Sequence, residues 1–152
     1  MEVILSNTNE ILELYYLAQK YKLEGREILD KYSFEDLAKI FNGIGPDAFP
    51  SWLRCVITKL HPSLGPVALL HDVEWHESDR TYDSFCESNE RFKRNGALIA
   101  KGMYSFFNPR RYIVKNQAYR FGCYCEHLGW HAWCTPCECP ICKEARAKEQ
   151  HG

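Results

Sequence analysis

The stretch VALLHDVEWHES, residues 67–78, decides the fold that we expect for this chain. Ala68, His71 and Trp75 recur at helical spacing within an apolar run, so the segment predicts a buried helix. A histidine among apolar residues needs a partner for each ring nitrogen. His71 and Asp72 are therefore either a solvated pair on a helix face or two parts of an active site.

The segments on both sides of this stretch also have helical patterns. Ser33 is the expected N-cap of one such helix, with Asp36 at the capping-box position, and Gly96 is a potential kink or end in another. The pattern of apolar residues predicts helices in 7–23, 33–41, 51–60, 80–107 and 108–122. The fold class that we expect is mainly α.

Composition sets limits on the function. The chain has 152 residues and a formal net charge of −1, which gives no electrostatic case for nucleic-acid binding. It contains no run of eighteen apolar residues and therefore no expected transmembrane segment. The N-terminus lacks the basic region of a signal peptide, so we expect synthesis and retention in a reducing cytoplasm. Within the chain we expect three parts: a helical domain at 1–122, a Cys/His-rich module at 123–142 and a polar tail at 143–152.

A glycine-rich loop, NGIGPDAFP at 42–50, precedes the buried helix. Two glycines and two prolines break the helical pattern, and such a loop can turn its carbonyl groups toward a common point. Carbonyl oxygens and a carboxylate together form the kind of site that binds calcium. A neutral histidine beside that cation could take a proton from water, and the cation would stabilise the oxyanion formed at an ester carbonyl.

The loop and the His-Asp pair together resemble the phospholipase A2 superfamily, in particular its small cysteine-poor forms found in bacteria and bacteriophages. The resemblance covers roughly residues 41–95. It implies an antiparallel helix pair, preceded here by extra N-terminal helices and followed by a small metal-bound C-terminal knuckle. In this family the core of the calcium loop matches Gly43 and Gly45, the general base matches His71, and the calcium carboxylate matches Asp72. Trp75 stands at the usual tyrosine position.

Two departures from the family's pattern bear on activity. Val67 and Ala68 occupy the positions where the family has paired cysteines, so its disulfide is absent. The family's distal aspartate, which orients the base, falls on Asn89. Asparagine can accept a hydrogen bond from the imidazole but carries no charge to stabilise the imidazolium. A lower catalytic rate is therefore expected, as when the aspartate of a serine protease is changed to asparagine. Asp83 could substitute if the helices are shifted.

The resemblance implies calcium-dependent hydrolysis of phospholipid esters, weakened by the asparagine. His71 would activate a water, while Asp72 and the carbonyls around Gly43 and Gly45 would hold Ca²⁺. Phe49 and Trp52, which flank the loop, would face the phospholipid surface or else pack in the core. The alternative is a non-catalytic descendant of the family: a structural or virion-associated interaction protein in the virion or the host cytoplasm, with partners in a protein assembly.

The C-terminal region carries most of the eight cysteines of the chain. Two C-x2-C turns can present four thiolates to one tetrahedral ion, which predicts a structural Zn²⁺ site. Iron–sulfur clusters and disulfides formed in an oxidising space are the alternatives. The candidate ligands outnumber those of one zinc ion, so two sites or a shared cluster could form: Cys123, Cys125, His127, His131, Cys134, Cys137, Cys139 and Cys142.

Zinc knuckles can also bind single-stranded nucleic acid. Basic and aromatic residues near the cysteines could form such a binding surface. They could also form a solvated helix face, and we favour the solvated face. The residues concerned are Arg110, Arg111, Lys115 and Arg120 with Tyr112, Tyr119 and Trp130. His76 and Glu77 could suggest another metal site, although polar residues at a helix end are usually solvated.

Overall fold

The structure is a computed structural model that describes residues 2–41, 61–134, 136 and 140–151, with side chains from Thr8 onward. Every regular element in these ranges is helical, which confirms the mainly α class. The described ranges contain seven α-helices: α1 Glu2–Lys20, α2 Phe34–Ile40, α3 Gly65–Glu77, α4 Tyr82–Met103, α5 Pro109–Leu128, α6 Trp130–Cys134 and α7 Pro140–His151. Two 3₁₀ helices, Arg26–Lys31 and Pro62–Leu64, complete the list. None of the described helices has the length and apolar character needed to cross a bilayer.

Helix α3 lies at the centre of the core. Its residues from Gly65 to Leu70 are all buried, and Val73 and Trp75 continue the buried surface one turn later. Because α1, α2 and α4 all pack against it, α3 is apolar around most of its circumference rather than along one stripe. The expected buried helix is therefore confirmed.

The helix termini follow local sequence rules. Ser33 caps α2 by accepting a hydrogen bond from the Asp36 amide at 3.1 Å, as the sequence predicts. Thr81 caps α4 in the same way, accepting from the Ser84 amide at 3.2 Å. Asn108 caps α5 and is followed by Pro109 at the first helical position. These caps place short connections between α3 and α4 and between α4 and α5.

Two helix boundaries and one potential break differ from the expected ones. The first helix begins at Glu2 rather than at residue 7. Helix α4 passes through Gly96 without a break, because this glycine lies where α4 packs closest to α5, against Ala118. Helix α5 continues past Gly122 to Leu128, so the expected domain boundary at residue 122 lies inside a helix.

Helices α4 and α5 form the largest helix–helix contact in the described part of the chain. The Lys93 ammonium links the two helices by donating hydrogen bonds to Glu126 at 2.6 Å and to Glu90 at 2.8 Å. On another side of α4, Asn95 accepts from the Glu24 amide at 2.7 Å and donates to the Glu24 carbonyl at 3.0 Å. These contacts hold α4 in place while its remaining face meets α3.

Candidate functional site

A histidine and an asparagine meet between α3 and α4. The Nε2 atom of His71 lies 3.0 Å from Oδ1 of Asn89. His71 stands seven residues before Ser78 and Asn89 stands eight residues after Thr81, so the contact joins nearly equivalent positions on two antiparallel helices. This is the pairing that the sequence predicts for Asn89.

The contact selects one form of the imidazole. An amide oxygen is an acceptor only, so the Oδ1 atom of Asn89 requires a proton on Nε2 of His71. The lone pair of a neutral ring then lies on Nδ1, for which the described residues provide no hydrogen-bond partner. Because His71 is only partly buried, Nδ1 is placed to act as a base toward a water molecule.

Aromatic rings surround the imidazole. The ring of Phe92 meets His71 edge-on, with centroids 5.5 Å apart, and the ring of Trp133 lies 6.2 Å away. Trp133 is held in place from α4, because its indole nitrogen donates to the Ser84 hydroxyl at 3.2 Å. Sequence reasoning assigned the region of Trp133 to a metal module and did not connect it with His71. No local signal could have done so, since the two residues are 62 positions apart.

The other predicted residues of this site have different positions. Asp72 is buried next to His71 on α3. Asp83 is exposed in the first turn of α4, about 9 Å along the helix axis from Asn89, so it does not take the place of that asparagine. Gly43 and Gly45, the predicted calcium-loop residues, lie outside the described residues, as do Phe49 and Trp52. Within the described ranges, Asp72 is thus the one member of the predicted calcium site.

The face of α4 that meets α3 contains buried polar atoms without partners. Among the described residues, the Nδ2 atom of Asn89 and the hydroxyl of Ser88 have no hydrogen-bond partner. Asn89 is 0% exposed, so its amide nitrogen is fully removed from solvent. A buried donor without a partner costs about 1–3 kcal/mol. Such atoms are rare in folded proteins, and a third one, Nε2 of Gln19 on α1, lies outside this site.

A cleft of about 380 Å³ opens beside this face of α4. Ser88 and Trp133 contribute to its wall, together with Glu74 and Arg91, which form an ion pair of 3.1 Å. His71 is not among the residues that line it. The charged groups of the cleft are largely paired with one another, so we do not assign it a role in the chemistry of His71.

The predicted metal ligands of the tail are dispersed over three helices. Cys123, Cys125 and His127 lie on α5, where a two-residue spacing separates side chains by about 200° around the axis and prevents the two cysteines from binding one ion together. His131 and Cys134 lie on α6, and Cys142 lies on α7. The described residues contain no group of three or more metal-ligating side chains. Cys137 and Cys139 lie outside the described residues.

One tail cysteine contacts the helix that carries His71. The Cys142 sulfur lies 3.3 Å from Nδ1 of His76, at the C-terminal end of α3. Partial burial lowers the pKa of His76, against the opposing field of Glu77, and so favours the neutral imidazole. The ring of Tyr32 meets His76 edge-on at 5.6 Å. The sequence had suggested that His76 is solvated, and its contacts with Cys142 and Tyr32 correct that interpretation.

Comparisons of this chain with protein-family models, curated proteins and solved structures found no match.

Proposed function

We propose that this protein is a calcium-dependent phospholipid ester hydrolase of the phospholipase A2-like type. The observation that carries the proposal is the 3.0 Å contact between Nε2 of His71 and Oδ1 of Asn89. It leaves Nδ1 as the basic atom of a partly exposed imidazole, beside a buried carboxylate at Asp72. This is the arrangement that the sequence resemblance implies for the base, its orienting residue and the metal carboxylate.

The chain's own residues have distinct roles in this proposal. Nδ1 of His71 accepts a proton from the water that attacks the ester carbonyl. Asn89 holds the ring in the tautomer that makes this possible, and Phe92 and Trp133 limit the access of bulk water to it. Asp72, together with the carbonyls of Gly43 and Gly45, would hold Ca²⁺. When bound there, the cation would supply the positive charge that polarises the ester and stabilises the oxyanion.

The charge distribution of the chain supports a phospholipid surface as the partner. Residues 95–125 contain no Asp or Glu, although the whole chain has 20 acidic and 19 basic residues. The positive charge of this segment is accompanied by exposed apolar side chains, of which Phe107 is 91% exposed and Phe106 is 63% exposed. We call the following residues the basic aromatic surface: Lys101, Phe106, Phe107, Arg110, Arg111, Tyr112, Ile113 and Lys115.

The basic aromatic surface fits an anionic lipid layer better than a nucleic acid. A cleft of about 290 Å³ within it has an apolar floor formed by Ala97 and Ala100, and Lys101, Arg111 and Lys115 stand around it. Exposed aromatic and aliphatic side chains gain free energy by entering the interfacial region of a bilayer, while the basic groups contact headgroups. Sequence-tolerant nucleic-acid binding needs aromatic platforms for stacking but not an apolar cleft.

The test is fatty-acid release from vesicles that contain anionic phospholipid, measured with Ca²⁺ and with a calcium chelator. We expect release by the unaltered chain only when Ca²⁺ is present, and none by His71→Gln. Binding to the same vesicles, measured by sedimentation, should weaken when Arg110 and Arg111 are changed to Gln. Release that continues in the presence of the chelator, or in the His71→Gln variant, would contradict the proposal.

A second function is favoured by the uncharged orienting residue. Asn89 has no charge with which to stabilise an imidazolium at His71, and its amide nitrogen has no partner in the ranges that the structure describes. We therefore keep as an alternative a non-catalytic protein of the same fold class that acts in a protein assembly and has a structural Zn²⁺ site in its tail. An unaltered chain that binds zinc but releases no fatty acid, even after Asn89→Asp, would favour this alternative.

A further inference from the structure

The cleft between the end of α4 and the start of α5 combines an apolar floor with a basic rim. Ala97 and Ala100 form the floor, and Ala100 is buried. Lys101, Arg111 and Lys115 line the same cleft, which has a volume of about 290 Å³. Clefts that bind small molecules begin at about 300 Å³, so the space suits a short ligand with a single chain rather than a two-chain lipid.

The three basic groups of the rim have no acidic partner. None of them forms an ion pair within the described residues, and residues 95–125 contain no Asp or Glu. Arg111 and Lys115 are four residues apart on α5, so their charges lie one turn apart on the same face and repel each other. Arg110 and Arg111 also stand in the first turn of α5, where the helix dipole favours acidic side chains. An anion in the cleft would relieve this accumulation of positive charge.

The wall of the cleft is fixed by contacts among its own residues. The Tyr112 hydroxyl donates to the Phe106 carbonyl at 3.1 Å, and the two rings meet edge-on with their centroids 6.3 Å apart. The Arg111 guanidinium lies over the Phe106 ring, 5.7 Å from its centroid. The aromatic wall and one of the cations are therefore in place before a ligand binds, which lowers the entropic cost of binding.

We propose that this cleft binds one molecule of a phosphate monoester that carries a single short apolar chain. The phosphate contacts the three cations of the rim, and the chain lies on the alanine floor. A phosphate monoester has a charge of about −1.5 to −2 at pH 7 and three acceptor oxygens, so it matches three cations better than a carboxylate does. The inference rests on the lipid-binding role proposed for the basic aromatic surface, but it does not depend on ester hydrolysis.

A discrete site of this kind differs from a general attraction to membranes. Attraction to an anionic bilayer needs only exposed basic groups and does not require a cleft. A discrete site binds one molecule in solution, without a bilayer, and distinguishes ligands by both head group and chain. Each methylene that moves from water onto the floor strengthens binding, whereas inorganic phosphate contacts the rim alone.

The experiment measures binding of butyl, hexyl and octyl phosphate to the full chain by isothermal titration calorimetry, below the concentrations at which these ligands form micelles. We expect one ligand per chain. The affinity should rise about 4-fold for each methylene, the gain from removing that group from water, until the cleft is full. Inorganic phosphate and octanoate should both bind more weakly than octyl phosphate.

Two variants test the rim and the floor separately. Arg111→Gln should weaken binding of octyl phosphate by at least about 10-fold, the usual contribution of a hydrogen bond to a charged group. Its matched control is Arg120→Gln, since Arg120 is an exposed arginine of α5 that does not line the cleft, and this variant should bind like the unaltered chain. Ala97→Leu fills the floor and keeps the rim, so it should abolish the gain with chain length and leave the affinity for inorganic phosphate unchanged.

The outcomes that would overturn this inference differ from those that would overturn the proposed function. Equal affinity for octyl phosphate and inorganic phosphate rejects the apolar floor, unaltered affinity in Arg111→Gln rejects the rim, and tighter binding of octanoate rejects the phosphate head group. A chain that binds anionic vesicles but no alkyl phosphate rejects the discrete site and leaves the lipid surface, whereas binding of neither rejects both. A chain that binds octyl phosphate but releases no fatty acid rejects the hydrolase and leaves this inference in place.

Discussion

The polar groups on the two long faces of helix α4 differ in their hydrogen bonding. Toward α3, Asn89 contacts His71, but within the described part of the chain its amide nitrogen and the Ser88 hydroxyl have no hydrogen-bond partner. Toward α5, Gly96 allows close contact with Ala118, and the Lys93 ammonium is paired with two carboxylates. The α5 face thus satisfies its polar groups as a structural interface does, whereas the α3 face leaves buried atoms unsatisfied.

The proposed activity uses the α3 face, where His71 and Asn89 meet, and it gives the α5 face no role. Each unpartnered buried atom costs about 1–3 kcal/mol, an appreciable share of the 5–15 kcal/mol by which folded domains are stable. Substitutions on the α3 face should therefore change activity more than stability, and those on the α5 face should do the reverse. Four substitutions test this difference between the two faces.

The largest expected effect is at His71. The variant His71→Gln removes the proposed base and should lower calcium-dependent fatty-acid release by about 10²- to 10⁴-fold, which is the usual contribution of a positioned acid or base. The matched control is His127→Gln, because that histidine is exposed on α5. Activity that survives in His71→Gln, with helical content retained by circular dichroism, would remove His71 from the mechanism.

The next effect is a gain at Asn89. Asn89→Asp places a charge where it can stabilise the imidazolium, and it removes the amide nitrogen that has no partner. We expect faster fatty-acid release, by up to about 10⁴-fold, the size of the loss that the opposite change causes in a serine protease. The matched control is Asn95→Asp, the other buried asparagine of α4, which binds Glu24 instead.

These two asparagine variants should differ in stability as well as in activity. Asn95→Asp loses the donor to the Glu24 carbonyl and should unfold at lower urea concentration without any gain in rate. If both variants behave alike, the position of Asn89 beside His71 has no special role. An inactive Asn89→Asp chain that stays folded would favour the non-catalytic alternative.

A purely structural effect is expected at Gly96. In Gly96→Ala the new methyl group would overlap the Ala118 side chain, so α4 and α5 must move apart. Overpacking of this kind costs about 1–3 kcal/mol, measured by urea unfolding. The comparison variant is Gly122→Ala in the same interface, where the new group would meet Cγ of the Lys93 side chain at 2.6 Å rather than the Cβ atom of a facing helix residue, and we expect a smaller loss of stability there. Equal stability of the two variants would show that the helices are not closely packed at Gly96.

The smallest effect is at Lys93. Lys93→Met removes a partly buried ammonium that pairs with Glu126 and Glu90, which should cost about 1 kcal/mol at neutral pH. The exposed Lys101 on the same helix provides the control variant Lys101→Met. We expect the control to unfold at the same urea concentration as the unaltered chain.

The Lys93 effect should depend on pH in a defined direction. The hydrogen bond from Lys93 lowers the pKa of Glu90 below its ordinary value of 4.5. A carboxyl with a lowered pKa contributes stability above its unfolded value, and this contribution is lost as pH falls through the folded pKa. The difference between Lys93→Met and the unaltered chain should therefore shrink below pH 4.5. A difference that stays constant on acidification would argue against the pairing.

Much of this molecule could be predicted from local sequence. The caps at Ser33 and Asn108 and the buried helix around His71 follow from interactions between residues within four positions of each other. The pairing of His71 with Asn89 could be predicted from the family resemblance, because the antiparallel helix pair sets which positions meet. The helix end predicted at Gly122 was wrong and the potential break at Gly96 is absent, since helix packing there outweighs the local tendency of glycine to end a helix.

The helical class, the caps and the imidazole within an apolar helix are evident in the amino-acid sequence, because all of these arise from short-range periodicity and side-chain chemistry. The positions of Trp133 beside His71 and of Cys142 beside His76 are known from the folded chain alone. These partners lie 62 and 66 positions apart in the chain. Their meeting depends on how the helices pack against a shared core, which no pattern within a single helix records.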